Sequence, residues 1–512
     1  MPIVFVYRDT ASIIPYSGCR NAAFLAVQDA GSVPTALCMT LTLIQASLHV
    51  AIADAGNPWQ ITWPAYIAWN GGTQTDAKQS RPQDDNRTDH QAQQQTSPGP
   101  GPYPNIYTGD DRACGLTPHS ILLLAHFARE TVSFFAMTPL RNNPLLMLLI
   151  PLGCIDDLLM HSLLALGGAH LAHKNPTNMV LADSTRLHYA NLIRGLRVEV
   201  GRLDDNDLEC KERLLSVLGI TCLYEIVSGD TQGATFNHLH ASRRLILSLL
   251  GDGATKSTSS IINSERLSFS IELYRYLVFS NTLTPYGITS DRSFPMDPFL
   301  TNIEEPQMAA PLSFEPIFAG TCALFRLVPF ISVIASQRLN EESRGLDLPS
   351  PNLAKMGDDL YNRIQSWQLD PRYEEGDGDR REQISRVAEM IRLGLYIYLR
   401  SALAGSVISD PADLCAIQEY ISQLYNYAHV VLPSQYTVIL LWPVVIAGSC
   451  ALIDEEKSIL LREIYSLKYG MKHMAIIGDV LQLLWDDPDP RAYGPYGLHF
   501  IMQKHGLSVG IA

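Results

Sequence analysis

Two short histidine pairs, His170 and His173 in GGAHLAH and His238 and His240 in FNHLHAS, carry the side chains best suited to chemistry in this chain. Histidines three residues apart on a helix share a face and could ligate one metal ion, whereas a pair two apart does not. No HExxH accompanies them, so hydrogen-bonded histidines of a core or interface are expected. The densest carboxylate cluster is Asp204, Asp205, Asp207 and Glu209. It lacks the central glycine and distal glutamate of a calcium loop and reads as a solvated helix N-terminus, where the helix dipole favours negative charge. Gly251 and Gly253 in GDGATKS suggest part of a phosphate loop. The glycine–lysine spacing is wrong and a helix replaces the required strand, so a helix stop is expected instead.

Nine cysteines are scattered, the nearest two being Cys210 and Cys222. A zinc site usually draws two ligands from one local turn, and no CxxC pair exists to supply them. The scatter predicts reduced, buried thiols of an intracellular protein. No GxSxG elbow and no Cys/His signature is present. No catalytic, cofactor-binding or metal-ligating residue is therefore assigned, and no enzyme is expected.

Charge points the same way. Asp and Glu total 52 against 38 Lys and Arg, for a net charge of −14, the reverse of the field that concentrates a protein on phosphate backbones. The basic clusters Arg243–Arg244 and Arg380–Arg381 sit beside acidic neighbours and read as solvated faces. The opening MPIVFVYRDTASIIPYSGCR lacks the features of a secretory signal. The apolar run Tyr436 to Ile453 is interrupted by Pro443 and Ser449 without flanking cations, which predicts a buried helix and no membrane association.

The elements that must position these residues divide the chain into three. Residues 1–73 show no strong period and receive no assignment. Residues 74–111 are rich in Gln, Asp, Thr, Pro and Gly and nearly empty of aliphatics, the composition of a disordered linker. Residues 112–512 carry helix-periodic apolar segments between caps and breakers, predicting an all-α region of about ten to twelve helices. Asp410 before Pro411 marks one helix start, and Asn206 with Glu209 forms a capping-box-like pair at another. Ile384, Val387, Ala388, Ile391 and Leu395 line one helix face, leaving Arg381, Arg386 and Arg392 in solvent.

Four blocks occur in a recognisable order. They are NPLLMLLIPLGCIDDLLMHSLLALGGAHLAH from Asn143, LHYANLIRGLRVEV from Leu187, ERLLSVLGITCLYEIVSGDTQGATFNHLHASRRLI from Glu212, and LLWPVVIAGSCALIDEEKSILLREI from Leu440. Together they resemble the fungal-specific transcription factor domain, the regulatory region of zinc-cluster factors. The resemblance rests on Leu214, Leu215, Tyr224, Glu225, Gly229, Asp230, His238 and Leu239, and on Trp442, Pro443, Ala447 and Gly448, with Trp485 closing a later helix. One departure is that Thr235 and Phe236 stand where the family has a tryptophan, and another is the pair Ala241, Ser242 after His238.

The resemblance implies a nuclear transcription regulator of metabolic or secondary-metabolite genes, with structural rather than catalytic roles for these residues. In the family a six-cysteine zinc cluster precedes this domain, and none is seen here. DNA contact is then expected only through a partner or a missing N-terminal module. The transcription machinery, another zinc-cluster regulator and a small-molecule effector are the partners implied. The alternative is a helical ligand- or partner-binding module outside transcription, followed by an enzyme on the same scaffold.

Overall fold

The computed structural model describes residues 116–135, 143–204, 206–250, 265–282, 294–301, 316–370, 378–431, 437–465 and 470–511. GDGATKS, the whole of the expected linker and the first 73 residues lie outside them. Among the described residues the fold is all-α, with no strand and a single isolated β-bridge, Gln232 to Ser508.

Among the described residues, fourteen helices have eleven residues or more, somewhat above the expected count. They are α1 (Pro118–Arg129), α2 (Asp157–Lys174), α3 (Met179–Gly201), α4 (Leu208–Ser228), α5 (Ala234–Leu250), α6 (Glu265–Asn281) and α7 (Val328–Ser343). After these come α8 (Pro351–Ser366), α9 (Gly378–Ala404), α10 (Pro411–Val431), α11 (Thr437–Ser449), α12 (Asp454–Ile464), α13 (Lys472–Asp486) and α14 (Gly494–Lys504).

Short polar side chains start many of these helices by accepting the amides that a first turn leaves unpaired. Asp156 accepts from Leu158 N at 3.0 Å and Leu159 N at 3.2 Å, and Asp410 accepts from Ala412 N at 2.9 Å ahead of Pro411. At α4 the expected cap is displaced by one residue. Asp207, not Asn206, accepts from Cys210 N at 2.9 Å, while the Asn206 amide is turned back onto Asp204 Oδ1. Asn143 is fully buried and opens a five-residue π-helical turn, Leu145–Leu149, by accepting from Leu145 N while donating to Val132 O.

Two groups of helices pack closely. In the first, α2 lies against α1, α3 and α4, and α4 lies against α5 and α6. Every residue of α4 from Leu214 to Val227 is buried, as expected of a helix apolar on all sides. Arg213 clamps the start of this group, reaching Asp156 at 3.2 Å and Glu199 at 2.5 Å and so tying α2, α3 and α4 together. In the second, α9 packs against α7, α10, α11 and α14, and α11 packs against α13 and α14. Ile384, Val387, Ala388, Ile391 and Leu395 are buried as the periodicity predicts. Arg381 is exposed, but Arg392 is half-buried because its guanidinium donates to Trp367 O and Glu389.

Trp442 on α11 is 1 % exposed, so this apolar run is a core helix. Among the described residues, Cys322–Ser343 alone has the length and hydropathy of a membrane-spanning helix, and more than half of its apolar window is buried in the protein. Its Arg338 is buried as well, with its charge held by the carbonyls of Leu346, Asp347 and Leu403.

The expectation of buried thiols is met at Cys222, Cys322 and Cys450 but fails at Cys415, which is exposed on the solvent side of α10. Cys154 and Cys210 are half-buried, and none of the six described cysteines is in a disulfide. Cys19, Cys38 and Cys114 lie outside the described residues.

Candidate functional site

The polar residues of the third sequence block converge where α4 turns into α5. Helix α4 ends on Gly229, whose φ of +80° is a conformation that side-chain-bearing residues rarely adopt. The following amide, Asp230 N, donates back to Glu225 O at 2.9 Å. Asp230 then accepts from Gln232 N at 2.8 Å and Thr235 N at 3.1 Å, which fixes the start of α5 one turn before His238. A single residue, through its amide and its carboxylate, therefore sets both the exit of one helix and the entry of the next.

Within this corner Glu225 Oε1 is shared. Tyr189 of α3 donates its hydroxyl to it in a short hydrogen bond, and His238 Nε2 lies 3.3 Å away. His238 is completely buried and Glu225 nearly so, and the two form an ion pair when the imidazole is protonated. The ring of Tyr189 stacks on Tyr224, with centroids 4.2 Å apart and planes at 17°. His238 Nδ1 and Thr235 Oγ1, one turn apart on α5, are buried without a hydrogen-bond partner.

Burial dominates the acid–base behaviour here. It pushes the Tyr189 hydroxyl well above its ordinary range, reinforced by the neighbouring Glu225 charge. The Cys222 thiol is raised for the same two reasons, and its Sγ contacts Thr235 O at 3.8 Å. Asp230 is raised by burial first and Glu225 second, against the two amides that it accepts. A thiol held protonated is a poor nucleophile, and His238 has no exposed surface. The arrangement is suited to bracketing three helices together.

The other candidates resolve separately. His170 is buried and bonded to Thr131 Oγ1 at 2.9 Å and His126 at 3.2 Å, facing α1. His173 is half-buried on the side of Lys472 and His473, so this pair does not converge. His240 stacks on Phe294 at 4.7 Å, away from the Glu225 side of His238. Among the described residues no group of three His, Cys, Asp or Glu side chains could hold a metal ion. Asp204 and Glu209 are exposed and Asp207 caps α4, while Asp205 lies outside the described residues.

The reading of Arg243–Arg244 as a solvated face is corrected. Arg243 makes a two-point pair with Asp297 at 2.6 and 2.7 Å, and Arg244 Nη1 is buried without a hydrogen-bond partner. Arg380 and Arg381 are exposed as expected. Further histidine contacts had no local motif to announce them: His161 and His188 meet at 3.0 Å between Nδ1 atoms, and Ser120 reaches the other side of His188 at 3.0 Å.

The fourth sequence block builds a second, apolar junction. Trp442 packs edge-on against Tyr398 and beside Phe325, with centroids 5.9 and 6.0 Å away. Trp485 of α13 is half-buried rather than fully enclosed, and its indole donates to Gly448 O at 3.0 Å. The motif residues of this block thus join α9, α11 and α13.

The model of the fungal specific transcription factor domain matches residues 122–503 of this chain. Neither a curated protein nor a solved structure matches it. The matched span contains both junctions, and with them every residue of the Tyr-Glu, Gly-Asp, His-Leu and Trp-Pro pattern. The chain belongs to the fungal specific transcription factor domain family.

Proposed function

We propose that this chain is a nuclear transcription regulator in which residues 112–512 form the helical regulatory unit, preceded by a linker over 74–111. The observation that carries this reading is the family match over residues 122–503. The bracketing of helices by Glu225–His238 and Trp442 supports it, since those motif residues work as packing elements. Control of metabolic or secondary-metabolite genes follows from the family alone.

Sequence recognition by this polypeptide is proposed to come from a zinc-cluster partner or from a further module. The net charge of −14 supports that division, because specific binding needs phosphate-neutralising side chains and an element that delivers others to base edges. No enzymatic role is proposed for the Glu225–His238 pair, whose histidine is sealed from solvent.

The test is to fuse the full chain to an unrelated DNA-binding domain placed upstream of a reporter gene, and to localise a tagged chain in fungal cells. Altered reporter output and nuclear accumulation are expected. An inert fusion together with cytoplasmic accumulation would favour a helical binding module outside transcription.

A further inference from the structure

The last described residues leave α14 and cross to elements more than 200 positions earlier in the sequence, with Ile511 and Asn281 230 apart. A left-handed Gly506, φ +64°, ends the helix, with Leu507 N donating to Met502 O at 2.8 Å. The chain then runs extended over the α4–α5 corner. Ser508 N donates to Thr231 O at 2.8 Å, and Ser508 forms a parallel bridge with Gln232. Ile511 N donates to Asn281 Oδ1 at 2.6 Å, at the end of α6.

The surface beneath is shaped for this segment. Val509 and Ile511, two residues apart, are buried with exposures of 2 % and 4 %. Gly510 lies against α4, where an added Cβ would meet Ile226 at 3.0 Å and Asn281 Oδ1 at 3.2 Å. Gly233, φ +83°, leaves space that a Cβ would take from Ser508 Oγ, at 2.7 Å. Asn281 is itself buried and held by its donation to Leu277 O at 2.7 Å. The seat thus offers a carbonyl acceptor, an amide acceptor and room for apolar side chains at alternate positions, the requirements for recognising an extended peptide.

We propose that Thr231–Gly233, Ile226 and Asn281 form a peptide-docking groove whose resident occupant is the chain's own segment 507–511, a strap that closes over the α4–α5 corner. The strap touches the one loop that sets the start of α5 through Asp230. Docking of the strap therefore restrains the corner without adding to the helix-on-helix packing. An external peptide with apolar residues two apart would have to displace the strap to bind. This inference does not depend on a role in transcription, and the segment lies beyond the family-matched residues.

The experiment uses the chain ended after Gly506, the full chain, and a labelled synthetic peptide of residues 506–512. Saturable binding of the peptide to the shortened chain is expected, with none to the full chain and none of a scrambled peptide to either. Amide exchange over residues 229–239 should rise at least several-fold on shortening, fall back on adding the peptide, and stay unchanged over 384–399. Absence of binding to a shortened chain with full helix content, equal binding of the scrambled peptide, or unchanged exchange would overturn the proposal. Should the shortened chain not fold, Gly510→Trp in the full chain asks the same question. Faster exchange confined to 229–239 is expected, and unchanged exchange there would defeat the docking groove.

Discussion

Gly394 of α9 and Pro443 of α11 meet so closely that a Cβ added to the glycine would lie 2.7 Å from the proline Cβ and 3.0 Å from its Cα. The proline sits inside α11, where it removes a backbone donor. The glycine accepts the ring. Gly394→Val should therefore destabilise the protein by about 2 kcal/mol or more, the range of an overpacked core. A denaturation midpoint equal to that of the parent chain would show that α9 and α11 do not touch there.

Trp442 allows two substitutions to be set against each other. Trp442→Ala removes the largest fully buried side chain among the described residues and should cost about 3–5 kcal/mol. Trp442→Phe keeps an aromatic ring against Tyr398 and Phe325 and discards an indole N–H that has no hydrogen-bond partner, so its cost should stay below about 1.5 kcal/mol. Equal losses in urea titrations would mean that the indole nitrogen is satisfied in solution.

The shared acceptor in the corner predicts strong coupling. Tyr189→Phe removes a hydrogen bond to a buried carboxyl group, and Glu225→Leu leaves Tyr189 and His238 both without it; each loss should cost about 1–3 kcal/mol. The double variant should lose less than the sum of the two. A double-mutant cycle with additive losses would show that the tyrosine and the glutamate act independently.

Acid should weaken the packing of the helices. Burial lowers the pKa of His126 and His161, brings His188 down to about 4 and brings His473 down to about 3. A histidine with a depressed folded pKa stays neutral while its unfolded counterpart takes up a proton. The stability it contributes is thus fully present above pH 6.5 and declines as pH falls, through about 4 for His188. His188 alone steepens the loss by up to about 1.4 kcal/mol per pH unit inside its window. His188→Gln should flatten the stability profile between pH 6 and 4.5 by about that amount. A profile with unchanged slope would show that His188 titrates normally in the folded chain.

For nucleic acid, the isolated chain should bind promoter DNA only weakly and without sequence preference, because its net charge is −14. A salt titration measures this directly. Nanomolar affinity for one sequence with a steep negative salt dependence would show that the chain carries its own readout element.

Local chemistry made part of this legible in advance. Asp410–Pro411 marks a helix start because the capping oxygen and the proline act within a few residues of one another, and the apolar face of α9 repeats at a spacing that only a helix satisfies. The α4 cap was missed by one residue because Asn206 and Asp207 are chemically equivalent capping choices and only the backbone path selects between them. The motif residues Glu225 and His238 were visible, but Tyr189 comes from another helix, and the stacked Tyr224 gives no sign of it. Arg243 and Arg244 looked solvated because the carboxylate that meets Arg243 lies 54 residues away at Asp297. Pairings at such separations depend on topology, which spacing along the chain does not encode.

Arg338 makes a consequence of the same kind. Its guanidinium donates to Leu346 O at 2.9 Å and Asp347 O at 2.6 Å, while Glu341, from the same helix, accepts from Ser350 N at 3.0 Å. Between those anchors Leu348 stands 79 % exposed. The loop is thus clipped on both sides of an accessible peptide bond, like a ribbon pinned at either end. A cut at Leu348 should leave the two fragments associated under native conditions and separable only in denaturant, making this loop a natural place to divide the protein into complementing halves.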